Sequence, residues 1–145
     1  MAARRLQTYT SLWAMMPHDD SGEIMQYDAI CEMVAGAGYD GMAIDLGAGD
    51  MAQAREVRPH IERNGLTPLI VAFPKTIESL RETLIMAKDF GAPFVDVIGQ
   101  VMPLSVEGMI PVIRKWIDMS DEIGMPIQFE THRNCITNDL YATLC

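Results

Sequence analysis

PLIVAF, residues 68–73, is an unbroken apolar run with Gly65 shortly before it and Pro74 directly after. A run with no polar alternate suits a strand covered on both faces, and such strands belong to parallel sheets flanked by helices. The pattern extends outward on both sides. Upstream, residues 50–64 place Ala54, Val57 and Ile61 at helical spacing, with Pro59 inside and expected to kink or split the helix. Before them stand a glycine-bounded strand, GMAIDLG at 41–47, and a helix whose apolar face is Tyr27, Ile30, Val34 and Ala37. Ser21 is expected to cap that helix, and TYTSLWAMM at 8–16 to form the first strand.

Downstream, Thr76 is expected to cap a third helix striped by Ile77, Leu80, Leu84 and Ala87. FVDVI at 94–98 has the content of a fourth strand. Ser105 opens a fourth helix with Ile113, Trp116, Ile117 and Ile123 for packing, though Gly108 and Pro111 weaken its first turns. A fifth strand follows Gly124. The helices stop at Gly38, Gly65, Gly91 and Gly124, each just before an apolar strand and roughly 30 residues apart, the length of one βα unit. The expected fold is α/β: a parallel (βα) repeat of about five strands in one incomplete domain over residues 1–145. It is read as a partial TIM barrel, with a flavodoxin-like open sheet as the alternative. A last helix that starts at 137–139 and stops at Cys145 favours the partial barrel and a truncated chain.

The totals exclude some partners. Eleven basic residues against twenty acidic give a net charge of −9, which argues against nucleic-acid binding and offers no polybasic membrane patch. No stretch approaches the ~18 apolar residues of a membrane span. Cys31, Cys135 and Cys145 have no paired spacing and fit a reducing compartment. A cytoplasmic protein is the expectation. The twelve methionines are read as core filling.

Chemistry concentrates in PIQFETHRNCITND, residues 126–139. Alternation along a strand points Gln128, Glu130 and His132 one way, and Phe129 and Thr131 the other. A carboxylate and an imidazole on one face suit proton transfer or a divalent metal; otherwise they are an ion-paired Glu and a hydrogen-bonded loop His. Arg133 either meets substrate or pairs with a neighbouring acid. Asp45 and Asp96 sit within the second and fourth strands, where a carboxylate is costly unless paired, so either is placed near the site. Trp13 either walls a ligand pocket or packs in the core. Cys135 lacks an evident His–Asx pair and is read as a small buried thiol. His18 lies in the loop after the first strand, His60 is expected on a helix surface, and Gly47-Ala48-Gly49 is too short for a nucleotide loop.

The chain resembles the amino-terminal half or more of the xylose isomerase-like TIM barrels, the sugar phosphate isomerase/epimerase group. SLWAMM in the first strand, AGAGYDGMAIDL at 35–46, IERNGL at 61–66 and above all PIQFETHRN at 126–134, followed by Thr137 and Asp139, carry the resemblance. It implies a metal-dependent isomerase or epimerase that passes through an enediolate. Glu130 would be both catalytic and a ligand of a divalent metal (Mn²⁺, Mg²⁺, Co²⁺ or Zn²⁺), with His132, Arg133, Asp45 and Trp13 binding a sugar or sugar phosphate. The group's other metal ligands come from strands six to eight, which these residues do not contain. The chain by itself is therefore expected to be inactive as an isomerase and to self-associate as a homo-oligomer, covering its sheet edges. The alternatives are a non-catalytic barrel fragment that acts through self-association, and an apurinic endonuclease. The acidic charge and the absence of His at Phe73-Pro74 and Gly99-Gln100 disfavour the latter. Epimerisation of ketoses by the purified chain with added Mn²⁺ would refute the expected inactivity.

Overall fold

Gly91 and Gly124 have φ of 73° and 69°, left-handed values that an L side chain rarely adopts. Each closes a helix there and frees the chain to enter a strand. A computed structural model describes residues 5–15, 25–102, 105–138 and 140–144. Ser21, His18, Asp139 and Cys145 lie outside the described residues. The strands are β1 (Tyr9–Ser11), β2 (Gly41–Asp45), β3 (Thr67–Ala72), β4 (Val95–Val97) and β5 (Ile127–Phe129). The α-helices are α1 (Tyr27–Gly36), α2 (Met51–Arg63), α3 (Leu80–Phe90), α4 (Val106–Ile123) and the short α5 (Leu140–Leu144). The strands form one sheet in the order β1-β2-β3-β4-β5, and the α/β class with a parallel (βα) repeat is the one expected. The chain divides into two compact units, Met1–Leu69 and Ile70–Cys145. No described helix is long and apolar enough to cross a membrane.

In the first unit, β1 runs parallel to β2 with Thr10 opposite Met42, and Leu12 N–H continues the ladder to Ala43 O. The expected strand at 8–16 is shorter than its composition suggested. A 3-10 turn over Trp13–Met15 replaces its second half, so Trp13 lies past the strand and is 66% exposed, not in the core. Helix α1 buries Ile30, Cys31 and Val34, and α2 buries Ala54, Val57 and Ile61. Pro59 does not split α2. It sits on the exposed face, where the missing N–H costs one backbone bond while Val57 and Ile61 stay packed. The Asp40 carboxylate accepts from the Thr8 N–H and hydroxyl and from Arg5, and these bonds hold its pKa below the ordinary value.

In the second unit, β4 pairs with β3 and β5, with Asp96 opposite Val71 on one side and Gln128 on the other. Val95 and Val97 are fully buried. Helix α3 begins at Leu80 rather than near Thr76, because Thr76 and Ser79 exchange side-chain and backbone hydrogen bonds across a turn that competes with helix. Ser105 caps α4 as expected, its hydroxyl accepting from Gly108 N–H at 3.1 Å. Ile117 departs from expectation and lies 44% exposed on the outer face.

Trp116 of α4 is fully buried. Its Nε1–H donates to Ile77 O at 3.1 Å, and its ring stacks on Phe129 with centroids 6.2 Å apart. Truncation removes this packing and leaves the Ile77 carbonyl without its donor. Trp116→Ala is expected to cost ~3–5 kcal/mol in urea unfolding, and Trp116→Phe distinctly less.

Candidate active site

The second unit brings two carboxylates together. Asp96 is the middle residue of β4, and its parallel partner on β5 is Gln128. Side chains two apart on a strand share a face, so Glu130, one residue past β5, falls on the same face as Asp96. The ladder carries on to that point, since Glu130 N–H donates to Val97 O at 3.1 Å. The opposite face holds Val95, Val97 and Phe129, turned toward Trp116.

The Asp96 and Glu130 carboxyls lie close enough to share a hydrogen bond, which forms only while one of the two keeps its proton. Burial, then the hydrogen bond and negative charge of Glu130, push Asp96 up to about 6. A proton held between two carboxyls up to a pH of about 6 is an arrangement that acid–base catalysis uses. Glu130 is exposed, so the pair is open to a solute. Its main chain is fixed by the Thr137 hydroxyl, which donates to Glu130 O at 2.6 Å.

His132 lies half-buried beside the pair in sequence, its Nδ1 2.7 Å from Arg133 O and its ring edge-on to Phe73 at 6.1 Å. That is the hydrogen-bonded loop histidine. Arg133 is exposed. Cys135 is a buried thiol against His132 O and the Thr137 hydroxyl. In the first unit, Asp45 Oδ1 accepts from Gly47 N–H at 2.7 Å and Ala48 N–H at 3.0 Å, and Trp13 stands near it in the wall of a small cavity. His60, on α2 as expected, faces Asp28 at 3.1 Å. Among the described residues no group of three or more His, Cys, Asp or Glu converges. Asp96 and Glu130 supply two of the several ligands a divalent cation needs, too few to hold the implied metal by themselves.

No family model and no curated protein matches the chain. Solved structures do. The chain is similar to 3-dehydroquinate dehydratase from Geobacillus kaustophilus HTA426, with a TM-score of 0.53 and 20% identity over 78% of this chain and 43% of that one. It is similar to type I 3-dehydroquinate dehydratase from Clostridium difficile, with a TM-score of 0.53 and 15% identity over 86% of this chain and 51% of that one. It is also similar to N-acetylneuraminate lyase from Proteus mirabilis, with a TM-score of 0.55 and 16% identity over 87% of this chain and 46% of that one. At these identities the likeness is one of fold, and the chain spans about half the length of each neighbour. The neighbours are TIM barrels, and the five-strand parallel repeat is consistent in fold with a partial α/β barrel. The resemblance to the xylose isomerase-like group is overturned: the matching barrels are a dehydratase and a lyase. The glycine-to-strand transitions within it recur in many barrels, and PIQFETHRN, on which it chiefly rested, is a single short segment.

The raised Asp96 pKa makes a signed prediction. An acid whose folded pKa lies above its unfolded value destabilises the fold once pH exceeds the unfolded value, and the cost is complete above the folded one. Stability should therefore fall as pH rises from about 4 to about 6. Asp96→Asn is expected to remove that component, leaving the variant ~1–2 kcal/mol more stable than wild type at neutral pH after allowing for solvent screening, and no more stable at pH near 3.5. Urea unfolding at the two pH values measures it.

Proposed function

We propose that the second unit carries the acid–base pair of an enzyme that moves a proton next to a carbonyl in a small hydroxylated substrate, an isomerase or epimerase type of reaction. The register that sets the Asp96 and Glu130 carboxyls side by side on one face of β4 and β5 is the observation that supports this most strongly. Glu130, the exposed member, is the base. It takes the proton from the carbon beside the carbonyl, and the C–H electron pair moves to the carbonyl oxygen to give an enediolate. Below about pH 6 Asp96 holds a proton and delivers it to that oxygen, turning the enediolate into a neutral enediol. Return of a proton to the neighbouring carbon completes an isomerisation; return to the original carbon from the other face completes an epimerisation.

The sequence placed the remaining metal ligands of the implied site outside these residues. A pair of carboxyls moving a proton needs none of those ligands, so proton exchange becomes the activity to measure in the chain as it stands. Ketoses and ketose phosphates incubated with it in D₂O should lose the ¹H signal of the C–H beside the carbonyl. Glu130→Gln and Asp96→Asn are each expected to slow that exchange by ~10²–10⁴-fold. The wild-type rate should decline as pH rises through about 6, where Asp96 gives up its proton. Exchange no faster than in Glu130→Gln across the panel would leave the pair a structural feature and sink the proposal.

A further inference from the structure

A cavity of about 120 Å³ opens in the first unit between Leu12, Trp13, Asp45, Ala48, Gly49 and Gln53. It is below the ~300 Å³ typical of a pocket for a drug-sized ligand, so it suits a very small molecule or one end of a larger one. Its walls decide which chemistry. Leu12 N–H is bonded to Ala43 O, Ala48 N–H to Asp45 Oδ1, Gly49 N–H to Asp45 O and Gln53 N–H to Asp50 Oδ1. The Gln53 carboxamide nitrogen donates to the Tyr27 hydroxyl at 3.2 Å. The donors of these walls are thus largely spent inside the protein, the indole N–H of Trp13 apart.

The acceptors are not. Asp45 is held by two backbone N–H groups on Oδ1 alone, and its second oxygen has no partner among the described residues. Gln53 Oε1 likewise accepts from no described group; it lies over Gly49, where an added Cβ would stand 1.8 Å away. Beside these oxygens Trp13 leaves an indole 66% exposed, a costly position for the largest side chain unless its face meets something.

A neutral polyol needs donors as well as acceptors from its site. An ammonium group needs acceptors, a negative charge and, where present, an aromatic face. We propose that this cavity binds the ammonium end of a small organic amine. The nitrogen donates to the second oxygen of Asp45 and to Gln53 Oε1, and its carbon chain lies against Trp13 and Leu12. The site belongs to the first unit alone and does not depend on the carboxyl pair of the second.

The probe is n-butylammonium, with 1-butanol and erythritol as neutral controls, titrated at low salt into ¹⁵N-labelled protein. The amine alone should shift the Trp13 indole and Gly49 amide signals saturably. Asp45→Asn keeps the Oδ1 acceptor of the turn but puts an NH₂ donor where the second oxygen stood, so affinity should fall by about tenfold or more with the amide spectrum otherwise preserved. Gly49→Ala, which displaces the Gln53 carboxamide and leaves Asp45 in place, should weaken binding as well. Equal binding of either neutral control, wild-type affinity in Asp45→Asn, or the lack of any saturable shift would overturn the proposal.

Discussion

The hydrogen bond from Glu130 N–H to Val97 O takes the β4–β5 ladder one step beyond Phe129, and the chemistry of the second unit depends on that step. Parallel register is unforgiving because side chains alternate faces. With Val97 opposite Phe129, both turn toward the helices, and Asp96 and Glu130 are left together on the other face. A slip of one residue would drive a carboxylate into the layer that holds Trp116 and would pull the pair apart. The same register that buries the apolar residues of these two short strands therefore brings the two carboxyls together.

The segment after β5 is tied down as firmly as the strands. Thr137 bonds back to Glu130 O, Ile136 N–H reaches Gly99 O at 2.8 Å, and Ile136 and Cys135 are buried. His132 spends Nδ1 on the neighbouring carbonyl within this framework. Such bracing holds the Glu130 backbone still without using its carboxylate, which a proton-transfer group requires. Asp96 needs no bracing of its own, being mid-strand with a partner on either side.

Much of this was legible in the sequence. The left-handed glycines, the Ser105 cap and the apolar runs are local signals, and they located every strand and most helix ends. Glu130 stood out because its neighbours are chemically dense. Its partnership with Asp96 did not, since the sequence places one within a strand and the other at a strand's end but does not say which residues face each other across the ladder. The start of α3 was missed because Thr76 and Ser79 prefer each other to the helix, a contest that spacing does not reveal. Trp13 was misplaced because aromatic and β-branched content continues past the point where the chain turns. Pro59 reads as a breaker in any local scheme, yet the buried residues of the opposite face outweigh one missing bond. The Asp40 network that ties Arg5 and Thr8 spans too many residues for any motif to show it.

Gly99 lies where β4 gives way to its loop, and a Cβ there would stand 2.8 Å from the Trp116 ring and from Ile136. Neither neighbour has somewhere to go, as both are buried. Directed diversification of this loop, for a new substrate or for tighter binding, therefore has to begin at Gln100. Any side chain at position 99 would force the buried Trp116 ring or Ile136 to move, at a cost in stability before any gain in chemistry.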